Sequence, residues 1–175
     1  STSTPTTTPT PTATSFALPT PTATATEQPI VISRLPVVDV PSPISVDTTW
    51  TANQVHVVSG IVTINTGVTL RLENGTIVKF QNKGNTPCKL IVNGMLIAQD
   101  SQGSQGSRIV FTSIHDDAYG GDSNANGGGS WPKAGDWSGL DFASTSAGSA
   151  LDYVIVPYAG PNGVAASLTV TSTTV

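Results

Sequence analysis

Charged residues are scarce in this chain of 175 residues. Lysine and arginine number 7, aspartate and glutamate number 11, and the formal net charge is −4. A protein that binds nucleic acid or an anionic membrane surface by charge needs a basic patch, and here the basic residues are scattered singly. The composition therefore argues against both kinds of partner.

Cysteine is almost absent. Cys88 is the single cysteine, which excludes an intrachain disulfide and any zinc cluster built from several cysteines. We predict that Cys88 is a small buried apolar residue rather than a reactive thiol.

Long hydrophobic runs and helical periodicity are also missing. No apolar run approaches the roughly 18–20 residues that span a bilayer, so no membrane span is expected. No window has a sustained 3.6-residue apolar period, while Thr, Ser, Gly, Val and Pro dominate. Because β-branched residues favour strands, the sequence predicts an all-β protein. Its length suits one domain that is large enough to bury a hydrophobic core.

The first 29 residues form a low-complexity tail. It holds twelve threonines and six prolines and has no charge before Glu27, so it cannot bury enough apolar area to offset its chain entropy. Proline favours an extended conformation near polyproline II, and Thr/Pro tracts are typical O-glycan acceptors. A plain spacer is the alternative, and both interpretations place the protein outside the cytoplasm. The candidate glycosylation sites are Thr6, Thr7, Thr8, Thr10, Thr12, Thr14, Thr20, Thr22, Thr24 and Thr26.

Residues 30–46 combine apolar side chains at alternate positions with interrupting prolines. The apolar set is Ile30, Ile32, Val38 and Val40. Because proline confines a strand to the edge of a sheet, this segment is predicted to be an edge strand on its own domain. The alternative is an exchanged strand that docks on the next subunit, in which case these four residues mediate self-association.

Residues 47–175 contain short apolar strands introduced by a polar residue and a glycine. Ser59-Gly60, Thr66-Gly67 and Asn74-Gly75 follow one another at steps of seven and eight residues, which leaves room for a strand and a tight corner. Three such sides make one turn of a solenoid of roughly 20–25 residues. We predict a right-handed parallel β-helix over 47–175, with an antiparallel β-sandwich as the alternative because Asn-Gly is also a hairpin signal. Inward positions include Ile77, Phe111, Leu140 and Tyr153.

The order of several segments resembles secreted bacterial right-handed β-helix domains. The segments are LRLENGTIVKF, LIVNGMLIAQDS, SRIVFTSIHDD, GGDSNANG, GDWSGLDF and LDYVIVPYAG, which together fall within residues 47–160. The resemblance implies the β-helix fold, an extracellular location of bacterial type and an acidic glycine-rich insertion between two coils.

The last coil carries no charged or amphipathic cap in the sequence. Residues 164–175 read VAASLTVTSTTV, so either the sequence is a fragment of a longer β-helix or this uncapped end is expected to pair with another subunit. Leu168 and Val170 are therefore candidates for self-association, and head-to-tail contacts that do not close produce filaments.

The insertion at 115–136 holds the candidate metal site. Its core, residues 122–127, reads DSNANG, which places oxygen side chains at alternate positions before a glycine, as in short calcium loops. An EF-hand is excluded because its twelfth position is Lys133. Affinity would be modest, near 10⁻⁴–10⁻³ M. The candidate calcium ligands are Asp122, Asn124, Asn126, Asp116, Asp117 and Asp136.

Catalysis has little support in the sequence. Asp141 and Asp152 are candidates for a glycosidase carboxylate pair, and Lys133 is the only base inside the acidic insertion that would suit a polysaccharide lyase. A sugar-stacking platform for a carbohydrate-binding or accessory module is the stronger alternative to a structural role. Its candidate aromatic residues are Trp131, Trp137, Tyr119, Tyr153 and Tyr158. The leading hypothesis is a non-catalytic, self-associating structural subunit.

Overall fold

The computed structural model describes residues 34–99, 108–160 and 168–170, the last three by their backbone alone. The chain divides into two units, Ser1–Ile32 and Ser33–Val175, and the described residues all belong to the second. The predicted tail of residues 1–29, with its ten candidate glycosylation threonines, lies outside the described residues. Ile30 and Ile32 lie outside them as well.

The described residues form short strands separated by tight corners. None of these residues is helical, and accordingly none belongs to a helix that could cross a membrane. The strands are β1 (Val37–Asp39), β2 (Thr48–Trp50), β3 (Val55–Ser59), β4 (Ile61–Ile64), β5 (Thr69–Leu72), β6 (Ile77–Gln81), β7 (Lys89–Val92), β8 (Met95–Gln99), β9 (Ile109–Ser113), β10 (Gly139–Phe142), β11 (Ala150–Asp152), β12 (Val154–Ile155) and β13 (Leu168–Val170).

These strands make three parallel sheets. Sheet A has the order β1-β3-β6-β9-β12, sheet B the order β4-β7-β10-β13, and sheet C the order β2-β5-β8-β11. From β2 onward each strand pairs with the third strand after it. Where no loop is inserted, paired residues are 22 positions apart, as for Val55 with Ile77 and Thr48 with Leu70, within the predicted repeat length.

The predicted all-β class is confirmed for the described residues, and their sheets are parallel. The antiparallel sandwich is wrong, because all pairs between these strands are parallel. The Asn-Gly dipeptides at 74–75 and 93–94 turn the chain into the next sheet instead of back along the same one. Gly75 does so with φ of 80°, a left-handed conformation that favours glycine.

The main core is built from alternate residues of all three sheets. In β5 and β7 the second and fourth residues are buried and the others are more exposed. Val62, Leu90 and Leu140 form one ladder across sheet B, and each is at most 1% exposed. Period-two burial on parallel strands thus produces one continuous apolar cluster.

Two predicted inward positions are wrong, while Phe111 and Leu140 are confirmed in the core. In β6 it is Val78 and Phe80 that enter the core, and Ile77 packs in a second cluster outside it. A difference of one residue in phase moves every side chain of a strand to its other face. Tyr153 lies between β11 and β12 with φ of 53° and is 54% exposed, because the chain bends there.

The candidate self-association residues fall on terminal strands. Val38 lies in β1, which pairs with β3 of the same chain, and it is 39% exposed. Val40 is half-buried against the main core. Leu168 and Val170 pair with Leu140 and Phe142 at the end of sheet B. The part of residues 30–46 that is described therefore lies on its own domain.

Candidate functional site

The outer face of sheet A is buried, unlike the outer faces of sheets B and C. All five residues of β9 are buried, and so are the first four of β3. Val55, Val57 and Ile114 form a second apolar cluster there, with Leu35 and Ile77 packed against it. A strand buried on both faces needs a covering layer, and the acidic insertion supplies it.

Gly120 marks the closest approach of the insertion to the sheet. A Cβ placed on Gly120 would lie 2.6 Å from Val55 Cγ2 and 3.4 Å from Ile77 Cδ1. Its φ is 68°, so glycine is required both by the backbone conformation and by the contact.

Lys79 is the most unusual residue of this interface. It lies on β6, its side chain is fully buried, and its Nζ donates to the carbonyl oxygen of Gly121 at 2.7 Å. Burial lowers the pKa of Lys79, and the negative charges of Asp117, Asp116 and Asp122 oppose that shift in this order. A buried ammonium is tolerated only where charges and acceptors compensate it. The sequence prediction assigned no role to Lys79. A lysine between Val78 and Phe80 in an apolar strand nevertheless indicates a buried charge that needs a partner.

Two buried carboxylates attach the ends of the insertion to β9. Asp116 Oδ2 accepts from the Thr112 hydroxyl at 2.6 Å, and its Oδ1 accepts from the backbone N–H of Ala118 at 3.2 Å. Asp136 Oδ2 accepts from the Ser113 hydroxyl at 2.6 Å and from the N–H of Lys133 at 3.0 Å. These two predicted metal ligands thus serve as hydrogen-bond acceptors for neighbouring protein groups.

Asp122 closes the tip of the loop on itself. Its two carboxylate oxygens accept from the N–H groups of Asn126 at 3.0 Å and Gly127 at 2.9 Å, and it pairs with Arg34 at 2.7 Å. The Gly127 N–H is the largest cause that lowers the pKa of Asp122. Both partners of the ion pair are partly exposed, so it contributes little to stability by itself.

Ser130 is the hub of a polar network within the insertion. Its Oγ lies 2.9 Å from His115 Nδ1 and accepts from Asn126 Nδ2 at 2.6 Å and Asn124 Nδ2 at 3.3 Å. The Asn126 side-chain oxygen in turn accepts from the backbone N–H of Gly128 at 3.2 Å. Two predicted metal ligands are therefore also hydrogen-bonded within the protein.

The six predicted calcium ligands do not converge on one point. Asp116 and Asp117 line a cleft with Trp131, whereas Asn124 and Asp136 line a second cavity with His115. In the part of the chain that the structure describes, no three His, Cys, Asp or Glu side chains are grouped as metal ligands would be. Asp117 Oδ1 and Asn124 Oδ1 are, however, buried acceptors without a hydrogen-bond partner, and such atoms often mark an ion or water.

The fold does not bring the five aromatic residues of the predicted sugar-stacking platform together on one surface. Trp131 and Tyr158 line one cleft of about 320 Å³, and Trp131 is 83% exposed. Trp137 is buried, stacks on Phe80 with ring centroids 3.8 Å apart, and donates Nε1–H to the carbonyl of Pro157. Trp137 therefore belongs to the core, and Tyr119 and Tyr153 do not line this cleft.

The candidate catalytic residues are not brought together. Asp141 lies on β10 of sheet B, where Lys89 Nζ donates to its Oδ2 at 2.6 Å. Asp152 is an exposed residue at the end of β11 in sheet C. Lys133 is exposed, and its hydrogen bonds with Asp136 are made by its backbone: its N–H donates to Asp136 Oδ2 at 3.0 Å, and its carbonyl accepts from the N–H of Asp136 at 3.1 Å.

Cys88 is buried, as predicted. Its Sγ donates to the carbonyl of Val58 at 2.9 Å, and burial raises the pKa of the thiol to about 11. The thiolate, which is the reactive form, is therefore strongly disfavoured at neutral pH.

Comparison with known proteins adds no relative: no protein-family model, curated protein or solved structure matches the chain.

Proposed function

We propose that the chain is an extracellular, non-catalytic structural protein: a right-handed parallel β-helix subunit that associates end to end with further copies. The observation that carries the proposal is the order of the three sheets, in which each strand from β2 onward pairs in parallel with the third strand after it. A β-helix has this order because each circuit of the chain adds one strand to each sheet. Parallel crossovers are almost always right-handed.

The two ends of such a stack are complementary to each other. Among the described residues, β1, β4 and β2 end the three sheets on one side, and β12, β13 and β11 end them on the other. A second copy placed head to tail would bring trailing strands against the leading strands of sheets A and C, so parallel backbone pairing would continue across the contact there. In sheet B, Ile44 already forms a parallel bridge with Ile64 of β4, so the next copy would meet this segment instead. A contact of this kind does not close on itself and grows into a filament.

Apolar side chains are exposed at the leading end. Val37, Val38 and Val46 are 42%, 39% and 68% exposed, respectively, and all three lie in or between β1 and β2. Burying them against another copy would remove apolar surface from water, which favours association. This end is therefore the proposed contact, with Val38 in β1 meeting β12 of the next copy in sheet A. In sheet B, the leading end meets β13 of the next copy, which contains Leu168 and Val170.

A lysine at position 38 tests this contact. We expect Val38→Lys to reduce assembly of the full chain strongly in sedimentation velocity, because an edge lysine opposes strand addition. The matched control is Ile91→Lys, on β7, which has paired strands on both sides and whose side chain is also only partly buried. Equal assembly of Val38→Lys and the unaltered chain, with folding intact by circular dichroism, would contradict the proposal.

The extracellular location and the glycosylated tail belong to the same proposal. The twelve threonines and six prolines of residues 1–29 would form an extended spacer that carries O-glycans between the β-helix and its anchoring surface. Mass spectrometry of peptides from protein isolated from its native source tests this, since O-glycans would add discrete masses to peptides from residues 1–29. If those peptides have only their unmodified mass, the tail is a plain spacer without glycans.

We propose a calcium site with a different and smaller set of ligands than the six residues that the sequence predicts. Asn124 Oδ1 lacks a partner, and Asn124 shares its cavity with the Asp136 carboxylate and with Gln81. Asn82 also lines this cavity, but its side-chain oxygen accepts from the N–H of Cys88 at 2.8 Å, so it is not part of the set. Amide and carboxylate oxygens are suitable ligands for a hard cation, so Asn124, Asp136 and Gln81 would hold calcium and fix the insertion. Asp116 is not part of this set, because both of its oxygens accept protein hydrogen bonds.

Thermal unfolding with and without calcium tests this smaller site. Calcium at millimolar concentration is expected to raise the Tm of the unaltered chain by a few degrees, since a ligand that binds only the folded state stabilises it. Asn124→Ala should lose this response, and magnesium should produce a smaller one because it requires a tighter octahedral shell. An identical Tm in calcium and in chelator would exclude calcium as a staple.

A further inference from the structure

Trp131 is the most exposed large apolar side chain among the described residues. It is 83% exposed, whereas Trp50 and Trp137 are 4% and 1% exposed. It lies at a cleft of about 320 Å³ whose lining includes Ser130, Pro132 and Tyr158. An indole that stays exposed contributes little to the stability of the fold, and its position beside a cleft leaves its face available to a ligand.

The walls of this cleft are held in place by neighbouring groups. Ser130, directly before Trp131, is bound by His115 and by the Asn126 amide. Tyr158 has φ of 63°, and its carbonyl accepts from the N–H of Gly135 at 3.1 Å. A site whose walls are fixed before binding loses less entropy when a ligand enters.

The charge of the cleft decides which ligand chemistry fits. Asp116 and Asp117 line it, but both oxygens of Asp116 are occupied by Thr112 and Ala118. Asp117 Oδ1 is buried, and the buried ammonium of Lys79 offsets part of the negative charge of the two residues. Because Asp116 is only 3% exposed and Asp117 Oδ1 is buried, most of the accessible lining of the cleft is uncharged.

The accessible hydrogen-bonding groups of the cleft are hydroxyls. They are the Tyr158 phenol and the Ser130 hydroxyl, and they lie beside the indole of Trp131. Partial desolvation and then the charge of Asp116 raise the pKa of Tyr158, so its hydroxyl remains protonated and able to donate. An exposed aromatic face beside hydroxyl groups matches a sugar, whose C–H face packs on an indole while its hydroxyls form hydrogen bonds.

We infer that the Trp131–Tyr158 cleft binds a neutral saccharide, with Trp131 as the stacking surface and Ser130 and Tyr158 as hydrogen-bond partners. The cleft volume suits a short saccharide rather than a long chain. This inference does not depend on end-to-end association, because the insertion supplies every lining residue except Tyr158, which follows β12, and no lining residue lies in a terminal strand.

Glycan-array binding followed by titration of intrinsic tryptophan fluorescence tests the inference. The probes are neutral hexose oligosaccharides, with amino-sugar oligosaccharides as a second arm. We expect binding of a neutral probe, and we expect Trp131→Ala to weaken it by about tenfold or more, as for loss of an aromatic stacking partner. The matched control is Tyr153→Ala, because Tyr153 is also exposed but does not line the cleft, and it should leave affinity within about twofold.

Three results would overturn the inference. One is the absence of binding to every neutral probe. Another is binding that Trp131→Ala leaves unchanged while the fold is intact by circular dichroism. The third is binding confined to amino sugars, which would show that the carboxylates rather than the neutral groups select the ligand. Trp131→Phe should retain part of the affinity, because phenylalanine keeps a smaller stacking face.

Discussion

At the scale of single residues, Gly120 and His56 each have tightly packed surroundings. Gly120 has no space for a side chain above Val55. His56 is 3% exposed, stacks on Trp50 at 4.9 Å between ring centroids, and places Nε2 3.1 Å from the carbonyl of Thr51. For each of these two residues, the contact described leads to a testable prediction about stability.

Substitution of Gly120 tests whether the insertion packs on sheet A. Gly120→Ala should lower the free energy of unfolding by roughly 1–3 kcal/mol more than Gly121→Ala, because overpacking costs about that much. Gly121 is a matched control: its φ is 73°, close to that of Gly120, but an added Cβ there meets nothing within 4 Å. Urea denaturation of both variants measures the difference, and equal midpoints would mean that the insertion does not contact Val55.

His56 predicts a loss of stability in acid. Burial lowers the pKa of His56 below its ordinary value of 6.5, and the hydrogen bond to Thr51 opposes this only in part. As the pH falls below about 6.5, the unfolded chain takes up the proton first, so the free energy of unfolding decreases. We expect the Tm to fall between pH 7.5 and 5.0 by more in the unaltered chain than in His56→Phe, which still stacks on Trp50. If the Tm falls equally in the unaltered chain and in His56→Phe, the loss of stability in acid comes from protonation of carboxylates and not from His56.

At the scale of elements, the insertion at 115–136 acts as a cover for the outer face of sheet A. The sequence predicted its position and its acidic character, but it did not predict what the acids do. Period-two patterns report one buried face, whereas β3 and β9 are buried on both. A second buried face depends on a distant loop, which local pattern cannot reveal. The buried Lys79 was the available signal, because a charge in an apolar strand needs a partner from elsewhere.

Removal of the Lys79 charge should detach this cover. Lys79→Met leaves the carboxylates of Asp116, Asp117 and Asp122 without their buried cation, and removal of one partner from a buried charge arrangement costs roughly 3–5 kcal/mol. Hydrogen exchange should then increase at residues 116–136 and at β3. Lys83→Met is the control, because Lys83 is exposed and should change neither stability nor exchange. Unaltered exchange in Lys79→Met would show that apolar contact alone holds the insertion.

At the scale of the whole molecule, the glycine corners and the apolar pattern favoured a solenoid with a repeat of roughly 20–25 residues over an antiparallel sandwich, and the described strands are parallel with paired residues 22 positions apart where no loop is inserted. Gly60, Gly67 and Gly75 all have φ near 80° and separate strands of different sheets. The face of each strand that points into the core was harder to predict. In β6 the sequence pattern placed Ile77 in the core, whereas Val78 and Phe80 lie there. In the segment IVKF every residue except the lysine is apolar, so composition alone does not determine the inward face.

The proposed end-to-end association is also a property of the whole molecule. The exposed valines at the leading end, the parallel order of three sheets and the terminal strand at Leu168–Val170 are each compatible with a monomer. Together they are the basis of the proposal, because a linear polymer requires two complementary ends on one chain.

Electron microscopy of the full chain at high concentration tests this account most directly. We predict filaments one β-helix wide, whose averaged images have a strong axial repeat at about 4.8 Å from strand spacing that continues across subunits. Dispersed monomers at the same concentration, in protein that is folded by circular dichroism, would contradict the account.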